Sequence, residues 1–191
     1  MLKIERLHAA PGVSLNPVQI ADAAALAALI SANLPTLTLH MPQLAALAHP
    51  QAAREHLEYA LTAATERSLY EWHIVADGVL CGSIRLNHIE QENRKASVGY
   101  FISTSHQGRG IATLAVRAVA QWCFEQLGLN RIELRCTSDN LASQAVAKRA
   151  GFVWEGMLRQ AELLNGVFVD YFVYGLLKEE FKPQHALDKA A

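Results

Sequence analysis

Apolar positions recur along this chain in two periods, and the switch between them divides it. Gln19–Asn33 is rich in Ala and Leu, with Leu26, Leu29 and Ile30 at helical spacing, and predicts a helix that ends before Pro35. Ala52–Glu66 repeats that period through Leu57, Ala60, Leu61 and Ala64. Between them, Thr36–Pro50 reads as irregular, punctuated by Pro42 and Pro50. From Tyr70 the period falls to two. Tyr70–Ala76, Val79–Ile89 and Ala96–Ser103 predict an antiparallel meander, turned at Asp77-Gly78 and again across the polar Gln91–Lys95. Gly82 marks a bulge in the second of these strands. The helical stripe then returns over Gly110–Leu127, where Ile111, Leu114, Ala115, Ala118, Val119 and Trp122 share one face and Gly128 closes the element. Arg131–Thr137 predicts a strand. A helix capped within Ser138-Asp139-Asn140 runs to Ala150, and Gly151 ends it. Phe152–Met157 and Val167–Leu177 predict the last strands. Lys3–His8 and Val13–Asn16 are short strand candidates ahead of the first helix.

The order of elements predicts an α/β protein of the mixed (α+β) kind, one sheet flanked by helices. One domain over residues 1–178, followed by a tail over 179–191, accounts for the chain of 191 residues. A hydrophobic content of 51% with 18% charged residues fits a packed core and excludes a disordered chain. The formal net charge of −1 lacks the basic excess of a nucleic-acid binder, so an anionic ligand must be held by local groups. The longest purely apolar run, Ala23–Ile30, is far short of the roughly 20 residues a bilayer span needs. Met1–Arg6 has no apolar leader core, and the expectation is a cytoplasmic protein without membrane contact. Cys81, Cys123 and Cys136 are widely spaced among apolar neighbours, as reduced buried thiols would be. No pair has metal-ligand spacing, so no metal is expected.

The densest chemistry lies at Gln107-Gly108-Arg109-Gly110-Ile111-Ala112, a turn that follows a strand and opens an amphipathic helix. Free amides at a helix N-terminus converge on one point, the helix dipole favours an anion there, and glycines let backbone approach it closely. Arg109 adds a full positive charge. A Walker phosphate loop is excluded because no Gly-Lys-Ser/Thr follows, and a preceding meander argues against a dinucleotide-binding βαβ unit. A Gly-rich turn with no ligand is the plain alternative.

Gln107-x-x-Gly110-x-Ala112 resembles the coenzyme A pyrophosphate motif of the GNAT N-acetyltransferases. The preceding strand, Ala96–Ser103, and the later Asn140 and Gly151-Phe152 are similar to that family at matching distances. The resemblance extends from about Leu15 to Leu177. It implies the GNAT fold, with a mostly antiparallel central sheet, and acetyl-CoA as co-substrate. It also implies that Phe101, Ile102, Gln107, Gly108, Arg109, Gly110, Ile111, Ala112, Thr113 and Asn140 line the coenzyme.

Three stretches resemble the RimJ/RimL branch, which acetylates N-termini of ribosomal proteins: Cys136–Ser143, Ala145–Arg149, and above all Glu155–Gly166. That likeness implies a ribosomal-protein N-terminus as acceptor, with an N-terminal serine favoured, and a homodimer. It casts Glu162 as general base and Ser143 as the group acting on the coenzyme sulfur. Ala147 stands where many branches carry a tyrosine acid. Asn16 replaces the family's usual first-strand Arg, and Leu34–Met41 lacks the branch's tryptophans, which leaves the acceptor open. A small amine (an amino acid, polyamine or antibiotic) and a non-catalytic acetyl-CoA sensor stay as alternatives.

On the residues alone, Glu162 is also readable as a solvated hairpin charge and Ser143 as a surface or capping serine. A serine hydroxyl is a poor acid beside a thiol of pKa about 8.5, so Ser143 suits steadying a thiolate better than full proton donation. Gly99 permits a bulge that would free a backbone N–H for an oxyanion, or it simply packs. Lys148 and Arg149 read first as a solvated helix face, with the coenzyme's phosphates as the alternative, and Trp122 and Trp154 as packing.

Overall fold

The computed structural model describes residues 4–183. Its elements are β1 (Leu7–Ala10), β2 (Val13–Pro17), α1 (Ala23–Leu37), α2 (Pro50–Thr65), β3 (Tyr70–Ala76), β4 (Val79–Glu90), β5 (Lys95–Ile102), α3 (Ile111–Gln126), β6 (Arg131–Thr137), α4 (Leu141–Ala150), β7 (Val153–Leu164) and β8 (Val167–Leu177). The strands form one eight-stranded sheet in the order β1-β2-β3-β4-β5-β6-β8-β7. Every neighbouring pair is antiparallel except β5 and β6, the pair joined across α3.

Strand alternation gives the sheet two unlike faces. Trp72, Ile74, Ile84 and Leu86 point to one face, where Ala115, Val119 and Trp122 of α3 and Val146 and Ala147 of α4 complete the larger core. Tyr70, Trp72 and Trp122 pack edge to face there, with Trp122 centred 5.1 Å from each of the other two rings. Phe101 points to the other face, where Leu26, Ile30, Leu57 and Ala60 of α1 and α2 form a second core. Ile20–Leu37 is long and apolar enough by composition to cross a bilayer. In the fold its buried stripe, Leu26, Ala27 and Ile30, packs in that second core, as in the core helix of a globular domain.

Several expectations change. α1 runs through Pro35 to Leu37: Pro35 removes one bond to the carbonyl a turn back, and with only two helical residues after it the cost is confined to the helix end. The stretch expected to be irregular contains a 3-10 helix, Pro42–Ala48. β7 is 12 residues long, twice its predicted length. As an edge strand it is mostly solvent-exposed, so apolar periodicity marks only its start. Trp154, expected in the core, is 55% exposed and rests edge-on against Phe172. Beyond β8, Phe181 packs tilted against Phe124, with Arg117 over its ring. The first three residues of the chain and residues 184–191 lie outside the described residues, including the start of the Lys3–His8 strand candidate.

Candidate active site

β5 and β6 stay paired for three residues, Lys95↔Arg131 to Ser97↔Glu133, and then part. From Val98 to Ile102 the β6-facing edge of β5 therefore has no strand partner. This opens a slot through the sheet, with unpaired backbone groups on its wall. The bulge predicted at Gly99 is absent: Arg85↔Gly99 lies within an even stretch of ladder. The parting of the two strands frees the edge instead. The β4 bulge flanks Gly82, where the register shifts against Ile74/Val75. A side chain at Gly82 would collide with the Phe101 carbonyl, so close strand approach requires this glycine.

The Gly-rich turn stands at the mouth of the slot. Gly108 and Gly110 hold φ of 72° and 76°, and Gly110 is the N-cap of α3. The first helical bond runs from Leu114 N to Gly110 O, which leaves the amides of Ile111, Ala112 and Thr113 without helical acceptors. The Gln107 side chain donates back to Ile102 O (3.1 Å) and ties the turn to β5. Arg109, expected to face the anion, donates to Asp77 (3.0 Å) in the β3–β4 turn. Arg149, expected on a solvated face, reaches Thr113 Oγ1 (3.4 Å) and so brings a guanidinium to the N-terminus of α3. Phe101 and Ile102 are buried on opposite faces of the sheet.

α4 supplies the next groups. Asn140 Oδ1 accepts from Ser143 N (3.0 Å), so Asn140 is the cap. Ser143 Oγ accepts from the Tyr100 hydroxyl (3.2 Å) and lies beside the Cys136 thiol. Burial raises the Cys136 thiol and pushes Tyr100 up to about 12, so both are neutral. With Tyr100 as the donor in that bond, the serine's own proton is free to point elsewhere.

Glu162 reaches the sheet's other face. Between Leu158↔Tyr171 and Glu162↔Val169, β7 carries two more residues than β8, with Gln160 at φ 50° and its N–H bound to Asp170 (2.8 Å). This bulge bends the edge strand and returns Glu162 to the face of Tyr171. The Tyr171 hydroxyl faces the Glu162 carboxylate. Burial, then that negative charge, push the phenol up to about 12. Tyr171 is paired with Thr137, whose Oγ1 meets His40 Nδ1 (2.9 Å), and Asn165 of the β7–β8 turn donates to Thr38 O. The loop after α1 thus closes this end of the sheet.

The structure joins Ser143 to Tyr100 and Cys136, and Glu162 to Tyr171, on opposite faces; no hydrogen bond among the described residues links the two groups. Tyr100 and Tyr171 escaped the sequence reading because an aromatic in a strand carries no motif. Among the described residues no group of three or more metal-ligating side chains gathers.

A family model described as an acetyltransferase (GNAT) domain matches residues 13–153. A ribosomal-protein-serine acetyltransferase of Escherichia coli is 40% identical over 101 residues, 53% of this chain and 56% of that protein. The chain thus spans little more than half the length of that curated relative. Among solved structures, RimL, a ribosomal-protein α-N-acetyltransferase held in a disulfide with coenzyme A, superposes with a TM-score of 0.87 at 26% identity. The match covers 91% of this chain and 98% of that one. The microcin self-immunity acetyltransferase MccE, in complex with acetyl-CoA and AMP, gives 0.84 at 27% identity over 88% and 94% of the two chains.

Proposed function

The chain belongs to the GNAT acetyltransferase family, and from that premise we propose that it transfers the acetyl group of acetyl-CoA to the N-terminal α-amine of a ribosomal protein, in the cytoplasm. The carrying observation is the slot where β5 and β6 part, with an anion-binding helix N-terminus at its mouth and a carboxylate beside its far face. The free amides of α3, with Arg149 near them, hold the pyrophosphate. The pantetheine lies along the unpaired edge of β5 and brings the thioester between Ser143 and Glu162. The disulfide in RimL is consistent with this path: of the three cysteines here, Cys136 alone lies against Ser143.

The steps follow from the groups. An α-amine has a pKa of about 7.7–8.0, so much of it is neutral near pH 7.5 and a modest base suffices. Glu162, directly or through one water, takes the amine proton as nitrogen attacks the thioester carbonyl. A β5 edge N–H receives the oxyanion. The C–S bond breaks, and Ser143 turns its hydroxyl proton to the departing thiolate while Tyr100 holds its oxygen. Glu162 then gives the amine proton up to solvent and the thiolate takes one from solvent, so Ser143 ends as it began and the transfer balances. The E. coli relative's name supports a serine N-terminus as acceptor.

The test is release of free thiol from acetyl-CoA with a panel of peptides. A serine-started ribosomal peptide should turn over and its N-terminally blocked form should not. Glu162→Gln should lower kcat by about 100-fold or more at unchanged coenzyme affinity. Turnover on small amines alone would remove the ribosomal acceptor and keep the chemistry. Coenzyme binding without turnover on any amine would remove the enzyme reading.

A further inference from the structure

The face that carries Glu162 also holds a charge that the acetyl-transfer steps do not use. Glu71 of β3, Arg85 of β4 and Gly99 of β5 are direct cross-strand neighbours, a row that ends at the slot. The next row is His73, Ser83 and Phe101. Glu71 is 4% exposed, and both its oxygens are engaged: His56 Nε2 meets one (3.0 Å) and Ser83 Oγ donates to the other (2.6 Å). Burial opposes its charge, but the bonds from His56 and Ser83 win and hold its pKa below the ordinary value. Arg85, directly opposite, acts on Glu71 only through space.

Arg85 is thus a half-buried guanidinium with no hydrogen bond or ion pair among the described residues, opposite a carboxylate held by His56 and Ser83. It cannot shed its proton, and an enclosed cation calls for an anion. It lines a narrow pocket with Leu26, Met41, Leu44 and Phe101, the last on the strand that borders the slot, and with Glu71 and its partner His56 on the β3 side. Gly99 keeps that side open, since no atom lies within 4 Å of where its Cβ would be.

We propose that Arg85 is an acceptor-recognition residue, and that its pocket takes a carboxylate carried by the acceptor within a residue or two of the reactive amine. The inference rests on the acetyltransferase reading, because that reading puts the amine at the slot. The planar fork of arginine matches a carboxylate in two parallel bonds, and apolar walls strengthen them. Glu71, locked by His56 and Ser83, is the counter-charge that keeps the empty site tolerable.

The probes are serine-started peptides that differ only at the second residue, Asp or Glu against Asn or Gln. They are read both by binding to the protein loaded with coenzyme A and by kcat/KM. The wild type should favour the acidic peptide by about 10-fold or more, in binding and in KM. Arg85→Gln should bring the ratio near one, and Arg85→Lys, which keeps the charge without the fork, should fall between. Coenzyme affinity serves as the fold control. No acidic preference in the wild type, or a preference that survives Arg85→Gln, overturns the proposal. Selective binding that Arg85→Gln abolishes, without turnover, would uphold the acidic-residue site and sink the acetyl-transfer reading instead.

Discussion

The two faces of this sheet handle the two halves of one ligand problem with different materials. The α3/α4 face offers the proposed pyrophosphate site backbone: glycines at positive φ, three free amides and a cap. The α1/α2 face, where the proposed acceptor would dock, instead carries side chains brought from separate segments: Glu162, Tyr171, His40 and Arg85. Backbone geometry depends on a few residue types at fixed spacing, so evolution can change little without losing it. Side-chain recognition can be re-cut residue by residue. One face should therefore bind a constant ligand and the other a changeable one, and substitutions should separate them.

Gly110→Val gives the largest effect on the constant side. The N-cap sits at φ 76°, where a β-branched residue costs about 1–2 kcal/mol, and its side chain would stand where the amides converge. Nothing lies within 4 Å of the added Cβ, so the fold should survive. Calorimetry should show coenzyme A binding weakened by about 10-fold or more, with acceptor KM changed far less. Equal losses for both ligands would mean that the faces are not independent.

The same contrast explains what was legible in the sequence. The turn could be read because Gln107-x-x-Gly110-x-Ala112 carries its chemistry in local order, between a strand and a periodic helix. The sheet was legible from alternation, since Trp72, Ile74, Ile84 and Leu86 share a buried face. The acceptor face was not. Glu71 and Arg85 sit 14 positions apart and become a row only through the β3–β4 register. Arg149 looked solvated until α4 packed beside α3 and brought it to Thr113. The ion pair of Arg109 with Asp77 depends on the β3–β4 turn and has no local signal either. The full length of β7 was hidden because an exposed edge strand has no apolar period to show.

Tyr100 sharpens the comparison, because it lies on the strand between the faces. If it only fixes the serine's lone pairs, its removal should matter only while the serine is present. Ser143→Ala should lower kcat by about 10-fold and Tyr100→Phe by less. The double variant should match Ser143→Ala alone, the non-additivity of residues acting as a unit. Multiplied losses in single-turnover kinetics would give Tyr100 a separate role, either on the ligand or in packing.

The smallest expected effect separates capping from ligand contact at one residue. Asn140 spends its carbonyl on Ser143 N, and its amide nitrogen remains as a donor. Asn140→Ala should cost about 1 kcal/mol of stability, a fall in Tm of about 2–4 °C, and with it some order in the turn that aims Ser143. Asn140→Asp keeps the capping oxygen and adds a negative charge at a helix N-terminus, so its stability should stay near wild type. It also exchanges the donor for an acceptor. If the amide contacts the coenzyme, Asn140→Asp should weaken coenzyme A binding several-fold at unchanged Tm. If Asn140 is a cap alone, Asn140→Asp should bind as well as the wild type, and all loss should fall on Asn140→Ala. Thermal unfolding and coenzyme titration on the same two variants decide between these roles.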